Sequence, residues 1–301
     1  MSVEKLVVRV AGALNVHVER HVFHDDADSV ILINGALATT ASFGQTIKYL
    51  SERYNVVCFD LPYAGQSRQY NPSQFLLTKD DEVVILLELI HQFRPRFLYS
   101  VSWGGLAALL ALAQGRSSVE RAVIGSFSPF LNAAMMDYVT KARDYLRRDE
   151  ATSAAQLLND TVGQNLPRVL KLMNYRYLIS LPEEEREQIE FHIDQILNLH
   201  LDHYLPRLSN IQCGIKFING ELDRHTTVDD ILKMAGYIRN AQFSAIADTG
   251  HFLELEGRPQ KAAVRGEIMA FFGAAEASAA PQVRIEPFVA ALQGTTFAGA
   301  N

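Results

Sequence analysis

The sequence predicts an α/β architecture, in which a mostly parallel central sheet covered by helices is interrupted by an inserted helical cap. Three observations predict it. Short runs rich in Val, Ile, Leu and Phe alternate with helical stretches over residues 1–128 and again over 210–273, and such alternation implies right-handed crossovers between parallel strands. Between these blocks, residues 129–209 carry one helical pattern after another with no convincing strand. A strand-to-helix turn made of small residues, Ser100-Val101-Ser102-Trp103-Gly104-Gly105, lies in the first block.

The elements follow in order. Residues 1–14 mix Glu4, Lys5 and Arg9 among apolar residues; with neither a long apolar core nor a small-residue cleavage site, this is a strand and not a signal peptide. Apolar or alternating runs at residues 6–10, 15–20, 29–33, 55–59, 97–101 and 121–126 read as strands. Residues 42–53 and 79–93 are amphipathic helices, the second with Val83, Leu86, Leu87 and Ile90 at helical spacing, and 106–113 is an apolar helix. After the cap come a strand at 215–219, a helix at 228–238, a strand at 242–247 and a helix at 259–272. The stretch 274–301 is rich in Ala, carries Pro281, Pro287 and Gly294, and has little periodicity. It is expected to be a poorly ordered tail, with residues 283–292 docking as a short element at most.

Composition narrows the function. The chain has 301 residues, 48% hydrophobic and 21% charged, an ordinary globular balance. Its 28 Lys and Arg against 34 Asp and Glu give a net charge of −6, so no global positive field exists to hold a phosphate backbone, and nucleic acid is not expected as a partner. The longest apolar stretches, residues 30–38 and 106–113, fall short of the roughly 18 residues a membrane span needs. No transmembrane segment is expected, which leaves room only for loose membrane association. Cys58 and Cys213 sit in or beside apolar runs and read as buried free thiols, as in a reducing, cytoplasmic compartment. No G-x-G-x-x-G and no P-loop is present, so no nucleotide cofactor is implied. His200 and His203 read as a solvated helix end, and no metal is expected.

The turn at Ser102 is where a nucleophile elbow belongs. Small residues two before and two after the serine, here Ser100 and Gly104, keep such a strained turn free of clashes. A serine needs a positioned base, and the base needs an orienting carboxylate. Asp223 follows the strand at 215–219, and His251 follows the strand at 242–247, 28 residues later. All three fall at the carboxyl ends of strands, in the order Ser, Asp, His. His225 shares a loop with the acid and is poorly placed to compete as base. The oxyanion amides are assigned to Trp103, after the nucleophile, and to Ala36, in the Asn34-Gly35-Ala36 turn after the strand at 29–33. Asp60 is expected to stabilise a turn. His192, in the cap, either faces the pocket or is a satisfied structural histidine, and it stands with Met173 as a candidate substrate contact.

The runs Asn34-Gly35-Ala36-Leu37-Ala38-Thr39-Thr40-Ala41-Ser42-Phe43, Val101-Ser102-Trp103-Gly104-Gly105, Phe191-His192-Ile193-Asp194-Gln195 and Asp248-Thr249-Gly250-His251-Phe252-Leu253 resemble the bacterial α/β-hydrolase-fold 3-hydroxyacyl transferases. The resemblance runs to about Phe272 and is strongest to the branch of the 3-(3-hydroxyalkanoyloxy)alkanoate synthases, the rhamnosyltransferase A subunits of rhamnolipid biosynthesis. It maps that family's Ser, Asp and His onto Ser102, Asp223 and His251. A sister branch transfers 3-hydroxyacyl groups from carrier protein to coenzyme A and is associated with a His-x4-Asp pattern in the cap. Tyr177 to Pro182 stands there in this chain, a departure that leans toward the synthase.

The implied substrates are (R)-3-hydroxyacyl thioesters, with acyl carrier protein as partner. Two acyl chains need a closed apolar pocket, for which the cap supplies Leu157, Leu158, Val169, Leu170, Leu172, Met173, Leu178, Ile193, Ile196 and Leu197. Carrier protein is acidic, and residues 141–176 carry seven positive side chains (Lys141, Arg143, Arg147, Arg148, Arg168, Lys171, Arg176) against four negative (Asp144, Asp149, Glu150, Asp160). That excess suits docking, and a solvated helix face explains it equally well. A thioesterase or esterase would use the same triad, and a non-catalytic receptor on this fold would have no need of it.

Overall fold

A computed structural model describes residues 2–71, 76–115, 117–239 and 241–274; the expected tail lies outside them from residue 275 on. The elements run β1 (Ser2–Val10), β2 (Leu14–Val22), β3 (Ser29–Ile33), α1 (Gly44–Leu50), β4 (Asn55–Phe59), α2 (Lys79–Phe93), β5 (Phe97–Val101), α3 (Gly104–Leu112) and β6 (Arg121–Gly125). Then come α4 (Ala133–Arg147), α5 (Ala151–Asp160), α6 (Arg168–Ile179), α7 (Glu183–Leu197) and α8 (Leu201–Tyr204), followed by β7 (Gly214–Gly220), α9 (Val228–Leu232), β8 (Ala241–Ile246) and α10 (Arg258–Gly273). The strands form one sheet in the order β1-β2-β4-β3-β5-β6-β7-β8. β2 pairs antiparallel with β1 and β4, and every later pairing is parallel. The mostly parallel sheet is therefore as the alternating pattern predicts.

The pleat of each strand divides the core in two, because successive side chains point to opposite faces. Ile31, Ile33, Val57, Phe59 and Leu98 pack with α2 and α3 on one face. Val30, Leu32, Val56, Cys58, Phe97 and Tyr99 pack with α1 and α10 on the other. Central strands buried on both faces have no polar side to show, which is why they read as continuous apolar runs. All nine residues of α3 are buried, with each buried Leu contributing about 2 kcal/mol. The start of α2 is held by a capping box, in which the Thr78 side chain accepts from the Asp81 amide and the Asp81 carboxylate accepts from the Thr78 amide.

Two predicted helices come out shorter. Residues 42–53 fold as a 3-10 turn over Thr40–Phe43 and a seven-residue α1. The chain must leave the helix before Asn55, whose side chain is pinned by hydrogen bonds with Phe23, His24 and Ala27 in the β2–β3 connection. In residues 228–238, α9 tightens into a 3-10 turn, Lys233–Gly236, where a glycine weakens helical propensity.

Helices α4 to α7 bury two apolar clusters of their own. One gathers Met135, Val139, Ala142 and Ile193 against Trp103. The other gathers Ala155, Leu158, Leu178 and Leu181 against Leu37 and Phe252. Those three partners come from the loops after β5, β3 and β8, so these helices roof the carboxyl ends of the parallel strands.

Candidate active site

Ser102 follows β5 with φ +50°, a left-handed conformation that costs an L-residue about 1–2 kcal/mol. It is held there because its amide donates to the Gly125 carbonyl of β6 at 2.8 Å and its carbonyl accepts from the Gly105 amide at 2.8 Å. The small neighbours are obligatory. A Cβ at Gly104 would overlap the Asn34 carbonyl, and one at Gly105 would lie 2.6 Å from the Phe127 ring.

Asp223 and His251 arrive from the loops after β7 and β8. The Asp223 carboxylate is buried and accepts from the His225 amide at 2.8 Å, the Thr226 amide at 3.1 Å and the Thr226 hydroxyl at 2.6 Å. His251 Nδ1 lies 2.8 Å from Asp223 Oδ2, and Nε2 lies 3.0 Å from Ser102 Oγ. A carboxylate only accepts, so Nδ1 carries the ring proton and Nε2 offers its lone pair to the serine hydroxyl. Burial alone would raise the Asp223 carboxyl, but the neighbouring His251 and the bonds from Thr226 and the His225 amide outweigh it and hold it at about 2. The three residues singled out in the sequence thus form one hydrogen-bonded chain. His225 lies on the far side of the acid, 3.9 Å from Asp223 Oδ1.

Ala36 and Trp103, whose amides are expected to receive the oxyanion, belong to the two segments that meet at this turn. A Cβ at Gly35 would sit 3.0 Å from Ser102 Cβ and 3.2 Å from the Val101 carbonyl. The backbone of Gly35 therefore rests on the elbow and brings the Ala36 segment beside it. Trp103 stands at the N-terminal end of α3, where backbone N–H groups have no partner within the helix. Asp60 stabilises a turn as expected, accepting from the Thr40 and Gln66 amides at 2.7 and 2.8 Å.

Several supporting residues are not evident in the sequence. The Glu256 carboxylate accepts from the Gly250 amide at 2.6 Å and the Phe252 amide at 3.0 Å, bracketing His251. The Ser126 hydroxyl donates to the His251 carbonyl at 2.5 Å. The Asn34 side chain is buried beside the elbow with no hydrogen bond among the described residues. The one available signal was the spacing of Asp223 and Thr226, which suits a hydroxyl folding back on a carboxylate.

Of the two roles expected for His192, the structure fits the satisfied structural histidine. It is buried, and Nε2 donates to the Leu77 carbonyl at 3.0 Å while lying 3.0 Å from Glu82 Oε1. Its polar edge is thus spent on the core, and its ring packs on those of Trp103 and Tyr63 at 6.0 and 5.6 Å. Burial would raise the Glu82 carboxyl, but Lys79 and His192 hold it at about 2. Gln188 extends the same clamp, accepting from the Leu77 amide at 2.7 Å and donating to its carbonyl at 2.9 Å. Met173 is 60% exposed on α6, and Val169 and Leu172 are 69% and 50% exposed. None of the three joins the apolar clusters beneath.

The basic stretch is partly neutralised. Arg147 pairs with Glu190 and Asp194, Arg143 with Asp194, and Lys141 with Asp137. Among the described residues Arg148, Arg168, Lys171 and Arg176 form no ion pair. No described helix is long and apolar enough to cross a membrane.

Comparison with known proteins agrees with this architecture. The alpha/beta hydrolase fold family model matches residues 28–257. A Pseudomonas aeruginosa protein named (R)-3-hydroxydecanoyl-ACP:CoA transacylase is 41% identical over 271 residues, covering 90% of each chain. The protein of that name from Pseudomonas putida is also 41% identical, covering 90% of this chain and 92% of the relative. Among solved structures, an esterase from Exiguobacterium antarcticum superposes with a TM-score of 0.73 at 16% identity, covering 90% of this chain and all of that one. With its sheet order, its strained serine turn and a family match across most of its length, this chain belongs to the α/β hydrolase fold family.

Proposed function

We propose that this chain is an acyltransferase that takes (R)-3-hydroxyacyl groups from thioesters, carrier-protein thioesters above all, through an acyl-enzyme on Ser102. The observation that carries the reading is the unbroken hydrogen-bonded chain from Asp223 through His251 to Ser102. The substrate class is supported by relatives named for 3-hydroxydecanoyl transfer.

In the first half-reaction His251 takes the Ser102 proton as Oγ attacks the thioester carbon, and the Trp103 and Ala36 amides receive the oxyanion. The carbon–sulfur bond then breaks, and the thiol leaves with the proton from His251. In the second half-reaction His251 takes a proton from the 3-hydroxyl of another 3-hydroxy chain, whose oxygen attacks the acyl-enzyme. The bond to Ser102 breaks and the serine recovers its proton. The product is an ester between one carboxyl and the other chain's 3-hydroxyl, the acyl skeleton of a 3-(3-hydroxyalkanoyloxy)alkanoic acid and of the rhamnolipid precursor. Asp223 keeps the imidazole in the required tautomer and stabilises its cation. Water must lose to the alcohol, and the helices closing over Leu37, Trp103 and Phe252 support that exclusion.

A second reading has the coenzyme A thiol as acceptor, and the relatives' names favour it. Against it stand Tyr177 and Pro182, where the transacylase branch is associated with His and Asp. Purified protein incubated with (R)-3-hydroxydecanoyl carrier protein, with and without coenzyme A, separates the two by mass spectrometry. The synthase reading expects a dimeric hydroxyacyl ester, absent with Ser102→Ala. Hydroxydecanoyl-coenzyme A without that ester establishes the transacylase, and free 3-hydroxy acid alone under both conditions refutes acyl transfer to either acceptor.

A further inference from the structure

We propose that Glu19, His21 and Cys58 form a binding site for one borderline divalent cation of the zinc class, stapling β2 to β4. The site lies at the antiparallel edge of the sheet, with β4 separated from β5, the strand that leads to Ser102, by β3. It is independent of the reaction proposed above.

The register creates the cluster. Glu19 of β2 lies directly opposite Cys58 of β4, and His21 lies two residues further along β2 on the same face. Their donor atoms all fall within 4.8 Å of one another. The Cys58 thiol is fully buried and His21 is 8% exposed. Neither ring nitrogen of His21 has a hydrogen-bond partner among the described residues. Glu19 Oε2 lies 3.4 Å from His21 Nε2 without hydrogen-bond geometry. A buried imidazole left without a hydrogen bond costs about 1–3 kcal/mol, which a bound cation would offset.

One carboxylate oxygen, one imidazole nitrogen and one thiolate sulfur suit a d10 or similar borderline cation better than calcium or magnesium, which prefer oxygen. Three protein ligands leave a fourth tetrahedral position for water. Donors around such an ion lie about 3.5 Å apart, so the cluster contracts on binding, and rotation of the Glu19 side chain supplies the movement. The thiol proton is released to solvent as the metal–sulfur bond forms. His17 Nε2, 3.3 Å from Glu19 Oε1, is placed to orient the carboxylate. Lys5 Nζ lies 3.1 Å from the same oxygen and competes for it, but its side chain is 65% exposed and free to swing away.

Cobalt titration of chelator-treated full-length protein under anaerobic conditions tests the site, because a thiolate ligand produces a charge-transfer absorption band. One cobalt per chain, with such a band bleached by zinc, is expected. Cys58→Ala should abolish the band, His21→Asn should weaken binding about tenfold or more, Cys213→Ala should leave both unchanged, and Lys5→Ala should tighten binding. No band in the wild-type protein overturns the proposal, as does a band that survives Cys58→Ala. The wild-type titration decides the matter even if a variant fails to fold.

Discussion

Replacing Asp223 by Asn keeps the shape of the side chain and inverts what it can offer. Asp223 Oδ1 accepts from two backbone amides, at 2.8 and 3.1 Å. Those amides cannot reverse their roles, so the Asn carbonyl oxygen must take that position. Its NH2 then occupies the place of Oδ2 and donates toward His251 Nδ1, 2.8 Å away. The imidazole must shift its proton to Nε2, facing the Ser102 hydroxyl at 3.0 Å, where it can no longer accept one. The expected loss in Ser102 acylation is about 10⁴-fold, or about 5.5 kcal/mol at 1.36 kcal/mol per decade. Stability changes on a separate scale. The carboxyl is held at about 2 against a usual 3.8, so its ionised form adds to folding stability at neutral pH. Because the folded value is depressed, that contribution is complete above about pH 4 and is lost as pH falls toward 2. The stability gap between the wild-type protein and Asp223→Asn should therefore be constant at neutral pH and close across that window. Ser102 labelling by a fluorophosphonate, followed by mass spectrometry, gives the first quantity, and guanidinium unfolding at several pH values gives the second. A folded Asp223→Asn protein that labels within tenfold of wild type would refute the tautomer argument.

Other expectations follow from packing and charge. Gly104→Ala places a methyl group on the Asn34 carbonyl, so the elbow and the Ala36 loop must separate. Fluorophosphonate labelling should slow about 100-fold, and an unchanged rate would count against the assigned oxyanion loop. Glu82→Gln leaves Lys79 and His192 buried without their carboxylate and should cost about 3–5 kcal/mol in denaturant unfolding at pH 7; a loss under about 1 kcal/mol would show that the clamp contributes little. Charge reversal at Arg168 and Arg176 together should raise KM for carrier-protein thioesters while leaving small esters unaffected. Arg147→Glu tests something else, because Arg147 is already paired with Glu190 and Asp194; its main effect should be a lowered Tm. Equal effects of the Arg168/Arg176 reversal on both substrate types would dismiss carrier-protein docking at α6.

Much of the site was legible because its constraints are local. Ser102 needs small neighbours within two residues, and Asp223 and His251 each need only follow a strand, so residue type, order and spacing suffice to find all three. The sheet was legible for a related reason, since strands buried on both faces advertise themselves as uninterrupted apolar runs. What escaped notice depends on contacts between distant segments. His192 is satisfied by Leu77, which precedes it by 115 residues, and no periodicity in α7 reveals that partner. Met173 falls on an apolar stripe, but α6 turns that stripe outward, and sequence alone shows a stripe without its direction. Glu256 was hidden because its task is to hold two backbone amides, which leave no imprint on the identities of the residues that own them.

The strained backbone at Ser102 sets the proposed nucleophile against the stability of its own fold. A Ser102→Gly substitution would relieve a left-handed φ that costs the serine about 1–2 kcal/mol, and would also remove the hydroxyl. Any selection for thermal tolerance that ignores turnover, whether in the laboratory or in a lineage that no longer uses the activity, is drawn toward that substitution first. On the proposed acyl-enzyme reading, a descendant carrying it, with every other residue unchanged, would melt higher and transfer nothing, so the raised melting temperature would itself mark the loss of that activity.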